Sequence, residues 1–287
     1  MEISFSVSYG VGVDDYTTIT FEARGHTGCI TLNRPERLNA INDEMIAEIN
    51  QAYRFVEECE DIWTLIITGA GRALCVGADV QKAHDHNDGV FAPGIDTQGD
   101  PVLGSLRQWD APQEATPPWL QKTKPIICAV NGVCCGAGLD LVTTSDIPIA
   151  SDAATFFDPH VSIGLASGRE AVRLARMLPL AAAMRMAIVG KHERVTAQRA
   201  YDLGLVTEVV PHADLLDRAW EIGDVVNANA PLAVRATRMA IRKGLTLPIY
   251  EAELLAENYR MKTALTQDAA EGPAAFIEKR DPVWKAR

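Results

Sequence analysis

Along the chain, apolar positions fall into two periods. Thr18 to Glu22 and Cys29 to Leu32 alternate as short strands around Gly25 and Gly28, the pattern of a hairpin. Met45, Ile49, Ala52 and Val56 recur every three or four residues behind Asn42 or Asp43, predicting a capped amphipathic helix. Trp63 to Thr68, Pro125 to Val130 and Ile147 to Ala150 are continuous apolar runs, as in strands buried on both faces. Pro148 predicts that the last of these is short or at an edge. After residue 170 the helical period takes over: 171–177, 181–188, 197–203, 214–227, a helix opening at Pro231, then 249–265 and 269–280. This order predicts an α/β core over residues 1–200 and a helical region over 201–287. Residues 81–123 break the pattern with five prolines, several glycines and a His84-Asp85-His86 cluster, and are read as a variable insertion or lid.

Composition narrows the function. The 287 residues carry a net charge of −11, which argues against duplex nucleic acid or an anionic membrane as main partner. The longest apolar stretch, Ile126 to Val142, holds Asn131, Asp140 and three glycines and is unfit to span a bilayer. The first twenty residues lack Lys, Arg and a long apolar run, so no secretory signal is read and a cytoplasmic location is expected. None of the six cysteines is spaced Cys-x-x-Cys, which suits reduced thiols in a core. Cys134 and Cys135 are therefore read as packing. His84-x-His86 has no evident third ligand and is read as a polar loop, so no metal is expected.

Two glycine turns carry the candidate chemistry. Gly77-Ala78-Asp79 follows one strand, and Gly136-Ala137-Gly138 follows another. Each turn can offer a backbone amide, and two amides aimed at one carbonyl oxygen make an oxyanion hole without side chains. The same pattern equally serves tight packing of a strand–turn–helix corner. Position 141 is Leu, so the dinucleotide spacing of glycines is missing.

These pieces together resemble the crotonase (enoyl-CoA hydratase/isomerase) superfamily. The matching residues run in order: Asn33-Arg34-Pro35 with Asn39-Ala40; Gly77-Ala78-Asp79; Lys124-Pro125 leading to Asn131-Gly132 and Gly136-Ala137-Gly138; Ser145-Asp146-Ile147; Gly204-Leu205-Val206; Ala230-Pro231-Leu232-Ala233; and Glu271-Gly272 with Glu278-Lys279-Arg280. The resemblance implies a spiral of repeated β-β-α units with a C-terminal helical region that builds a homotrimer or hexamer. It implies an acyl-CoA thioester as substrate and no cofactor beyond that CoA. Ala78 and Ala137 take the oxyanion-hole positions. Arg37, Val76 and Lys279 fall where the family contacts CoA, Lys279 reaching a neighbouring subunit's ligand.

The departures bear on the reaction. Family hydratases hold the attacking water with two glutamates. The first position is Asp140, one methylene shorter, and the second is His160, in Asp158-Pro159-His160. A carboxylate and an imidazole can share proton transfer near neutral pH. Hydration of a 2-enoyl-CoA is the leading expectation. The alternatives are hydrolytic C–C cleavage of a β-diketone or β-keto acyl group, double-bond isomerisation, and CoA binding without catalysis. Asp158 is placed to orient His160 or to bond its own turn. Arg169-Glu170 stands where the family usually has small residues, either facing the acyl group or solvated at a helix start.

Overall fold

The computed structural model describes residues 16–79 and 123–287; the expected 81–123 insertion, with His84 and His86, lies almost wholly outside them. Among the described residues, ten strands form two sheets. In the six-stranded sheet β1 (Ile19–Arg24) pairs antiparallel with β2 (Thr27–Leu32), and the hairpin turns at Gly25 with φ +54°. β2 then leads in parallel to β3 (Thr64–Gly69), β5 (Ile126–Val130), β7 (Ile147–Ser151) and β10 (Glu208–Val210). The second sheet runs β4 (Ala73–Cys75), β6 (Val133–Cys135), β8 (Thr155–Phe157) in parallel, closed by antiparallel β9 (Val195–Thr196). Each repeat thus lays one strand in each sheet, the spiral expected from the resemblance.

The continuous apolar runs are explained by burial on both faces. Leu65 and Ile67 of β3, with Ile126, Cys128 and Val130 of β5, point into the main core. Ile66, Ile127 and Ala129 point the other way, against Leu215, Ala219 and Trp220 of α6 (Leu215–Asn227). The period of two is therefore present but masked, because both faces are apolar. In the main core α1 (Asp43–Glu58) buries Met45, Ile49, Ala52, Tyr53 and Val56, and the Asn42 side chain accepts from the Met45 amide at 3.0 Å. The C-terminal end of α1 is closed by Lys124, whose buried ammonium donates to the Val56 and Cys59 carbonyls at 2.5 and 2.6 Å. Burial, with Arg235 nearby, draws its pKa down to about 8.

Of the two alternatives expected for the Pro148 strand it is short, with five residues, and not at an edge, since it lies between β5 and β10. The sheet tolerates the proline because β10 engages only from Ile149 onward, while the Pro148 carbonyl accepts from Thr207 N at 2.7 Å. The region after residue 200 is also not purely helical. β10 completes the large sheet and α6 covers its face; three strand residues are too few to show a period.

Helices frame the site. α2 (Ala137–Thr144) links β6 to β7; α3 (Arg169–Met177), α4 (Leu180–Val189) and α5 (Ala197–Leu203) follow β8. α7 (Pro231–Gly244), α8 (Ile249–Thr263) and α9 (Gln267–Glu278) end the chain. Asp146 ties α7 to the core, accepting from Arg238 Nε at 2.6 Å, Arg242 Nε at 3.0 Å and the Ile126 amide at 2.9 Å.

The start of α2 packs without clearance against β4. A Cβ on Gly138 would fall 2.5 Å from the Cys75 carbonyl oxygen and 3.2 Å from Cys134 Sγ. Gly138→Ala is therefore expected to destabilise the fold by about 1–3 kcal/mol, the usual cost of overpacking, read as a lower urea midpoint at unchanged slope. An unchanged midpoint contradicts the packing described.

Candidate active site

The site begins where β4 and β6 end side by side. Cys75 pairs with Cys134, and the two chains then turn through Gly77 (φ +101°) and Gly136 (φ +54°). Only glycine takes these angles without strain. A Cβ on Gly136 would lie 3.2 Å from Gly77 Cα, and one on Gly77 would lie 3.7 Å from Ala137 N. The two turns therefore touch, and the residues after them, Ala78 and Ala137, sit side by side. Gly136 takes the positive φ, leaving Ala137 as the first helical residue of α2 with an ordinary negative φ. Its amide belongs to the unpaired first turn at the positive end of the helix.

Ala78 is held from its other side. Ile41 N donates to Gly77 O at 2.8 Å, and Asp79 N donates to Ile41 O at 2.9 Å, a single parallel bridge spanning Ala78. Among the described residues, neither the Ala78 nor the Ala137 amide donates within the chain. Three side chains that sequence reasoning gave no such role fix this geometry. Arg34 pairs with Asp79 at 3.0 Å and donates to Ala40 O at 2.6 Å. Asn39, fully buried at φ +57°, donates to Ala70 O at 3.0 Å and Ala73 O at 2.8 Å. Asn131 donates to Gly71 O at 2.8 Å. Their only sequence signal was their place in the resemblance, since a buried amide bonding to a distant loop leaves no period.

Asp140 stands one turn into α2 and is buried. It does not bond to His160. Its Oδ1 accepts a short hydrogen bond from Arg173 Nη1, and its Oδ2 lies 3.4 Å from Arg169 Nη2. Burial, then the charge of Glu170, push its carboxyl above the ordinary carboxylate value; the two guanidinium groups oppose this.

His160 opens a short turn (His160–Ile163) after β8. Asp158, fully buried, accepts both the His160 backbone amide at 3.1 Å and ring Nδ1 at 2.5 Å on Oδ1. Ser167 donates a short hydrogen bond to its other oxygen. Asp158 therefore fills both roles open in the sequence: it makes its own turn and orients the ring. This leaves Nε2 as the ring nitrogen not engaged among the described residues. The Asp158 bond holds His160 above its ordinary 6.5 against the effect of burial; Glu170 and Asp140 add to the rise. Asp158 itself is lowered, the push of burial being outweighed by bonds from His160 and Ser167.

The residues expected to contact CoA lie further out. Arg37 ends an exposed turn (Pro35–Arg37) four residues before the Ile41 bridge. Val76 is half-buried beside Gly77 and its carbonyl accepts from Cys135 Sγ at 3.3 Å. Lys279 is exposed at the αL end of α9, while the neighbouring Arg280 is committed to Glu271 and Glu278. Arg169 and Glu170 differ from each other: Arg169 is half exposed beside Asp140, and Glu170 is buried.

The Enoyl-CoA hydratase/isomerase family model matches residues 22–287. Enoyl-CoA hydratase EchA19 of Mycobacterium tuberculosis is 36% identical over 273 residues, 93% of this chain and 96% of that protein. (E)-benzylidenesuccinyl-CoA hydratase of Thauera aromatica is 31% identical, over 93% of this chain and 98% of its own length. The crystal structure of an enoyl-CoA hydratase/isomerase from Mycobacterium paratuberculosis superposes with a TM-score of 0.81 at 55% identity, covering 95% of this chain and 99% of that one. The chain belongs to the enoyl-CoA hydratase/isomerase family of the crotonase superfamily.

The Asp158–His160 pair predicts a pH signature in stability. His160, raised on folding, contributes fully below about pH 6.5 and loses its share as pH rises through the raised value. Asp158, lowered on folding, contributes above about pH 3.8 and loses its share as pH falls through the lowered value. The melting temperature of the native chain should therefore exceed that of Asp158→Asn most between these limits, with the gap narrowing above neutrality. A gap independent of pH contradicts the pairing.

Proposed function

We propose that the chain hydrates a 2-enoyl-CoA, polarising the thioester carbonyl with the Ala78 and Ala137 amides and moving protons with Asp140 and His160. The observation that carries this reading is the contact of the two glycine turns, which leaves two neighbouring amides with no partner among the described residues. Such donors act where negative charge develops. Removal of one typically costs 10²–10³-fold in turnover.

In the step proposed, water adds through its oxygen to the β-carbon. The π electrons move to the thioester oxygen, which the amides stabilise as an enolate. One proton leaves the water and one arrives at the α-carbon, so the sum is addition of water with no change of oxidation level. His160, with Nδ1 fixed by Asp158, exchanges protons through Nε2. Asp140 is the second proton-exchanging group in this reading, a carboxylate whose affinity for a proton is raised by burial. No cofactor beyond the substrate's CoA is needed.

The outer residues complete the reading. Arg37 and Lys279 are read as partners for CoA phosphates, and Val76 with Ala78 as walls for its adenine. Lys279 serves a neighbouring subunit, in a homotrimer or hexamer. Exposed apolar side chains on the C-terminal helices and the turns between them, among them Ile241, Leu245, Ile249, Leu265 and Phe276, support such an assembly. Among the described residues, no helix is long and apolar enough to cross a membrane. All six cysteines are free thiols, which suits a reducing, cytoplasmic setting.

Asp140→Asn and His160→Ala are each expected to lower the hydration kcat at least about 10²-fold, followed as loss of the enoyl absorbance of crotonyl-CoA and longer 2-enoyl-CoA esters. Native rates in both variants overturn the assignment of this pair.

A further inference from the structure

The Asp140–His160 site holds a further titratable group that the resemblance does not supply. Glu170 stands in the first turn of α3, and the residue retains only 8% of its accessible surface. A carboxylate there has two ordinary fates: solvation at the positive end of the helix, or an ion pair with a cation three or four residues away. Glu170 has neither. It is buried, and Arg173, three residues on, is committed to Asp140. Arg169, its immediate neighbour, also turns to Asp140. Among the described residues, Glu170 makes no hydrogen bond and no ion pair.

Its carboxylate doubles back over the turn that precedes the helix. A Cβ on Gly168 would lie 3.6 Å from Glu170 Oε2. From there its charge acts on two groups carried by other elements, Asp140 on α2 and His160 after β8. The helix that carries Glu170 also carries the two arginines that reach Asp140, and Asp158 is taken up by His160 and Ser167, so of the three carboxylates gathered here the Glu170 carboxylate has no bonded partner among the described residues. The Glu170 carboxylate oxygens keep some contact with solvent although the residue is largely buried, so a water or a ligand atom can reach them.

We infer that Glu170 is a further catalytic residue, the second carboxylate on the attacking water: Asp140 and Glu170 each accept one of its hydrogen bonds, and Glu170 removes its proton. This rests on the hydratase reading above and deepens it. As the water oxygen bonds the β-carbon, its proton passes to Glu170 and the enolate forms at the oxyanion hole. The imidazolium of His160 gives its Nε2 proton to the α-carbon. The proton on Glu170 then passes to His160, restoring both groups. One water is consumed, and neither oxidant nor reductant is required. The water-holding pair is thus built from α2 and α3, with the position that carries histidine left free for proton delivery.

The experiment uses the native chain with Glu170→Gln and Glu170→Asp. It measures steady-state hydration of crotonyl-, decenoyl- and cinnamoyl-CoA, and calorimetric binding of butyryl-CoA, which cannot be hydrated. The inference predicts that Glu170→Gln lowers kcat at least about 10²-fold with KM within about threefold, that Glu170→Asp regains about tenfold or more, and that butyryl-CoA affinity stays within about threefold throughout. Native kcat in Glu170→Gln overturns this assignment and leaves the hydratase reading standing. Loss of butyryl-CoA affinity in step with kcat, in both variants, also overturns it, since Glu170 then shapes the pocket only. A native chain that hydrates none of the three esters overturns the hydratase reading, and this inference with it.

Discussion

The structure turns on the meeting of two glycine turns at the ends of adjacent parallel strands. β4 and β6 fix the approach, Gly77 and Gly136 supply the backbone angles, and the absence of side chains lets the turns touch. Everything that would polarise a thioester depends on this contact, because the donors are main-chain groups and no side chain can substitute for their position. The scaffold around it is correspondingly over-determined. Asn39, Asn131 and Arg34 hold the first turn, and the start of α2 holds the second. Backbone donors placed this way need no reorganisation during reaction, the condition under which they are most effective.

Around that corner the side chains form an electrostatic problem rather than a simple pair. Asp140 is buried and would be costly alone; Arg173 and Arg169 offset the cost. The same two guanidinium groups thereby leave Glu170 without a partner. His160 is held by Asp158, itself held by Ser167, so the imidazole is oriented from behind while one nitrogen remains available. The result is a group that gains a proton easily beside a carboxylate that loses one less easily than usual. Such opposed tendencies suit reversible addition of water, where acid and base exchange roles.

How much of this was legible in the sequence depended on the kind of interaction. Helix α1 was readable because its apolar stripe and Asn42 cap are local, and the buried strands because their runs are long enough to count. Short strands such as β4, β6 and β10 are specified by long-range pairing and show no period. Ala78, Ala137, Asp140 and His160 are site candidates through ordered motifs alone. What could not be read was which charges meet. Arg173 lies 33 residues from Asp140, and only the fold brings them together. Glu170 was ambiguous for the same reason: a helix start gives no sign of whether its acid faces water or a neighbouring helix.

The account's central claim is that two main-chain amides act on one carbonyl oxygen. Difference infrared spectroscopy of bound crotonyl-CoA, with and without a carbon-13 label at the thioester carbonyl, reads that interaction without relying on turnover. Two strong donors predict a carbonyl stretch shifted clearly to lower frequency than in water, and the shift should persist in His160→Ala, which leaves both amides in place. A stretch at its aqueous frequency in the native complex would contradict the account.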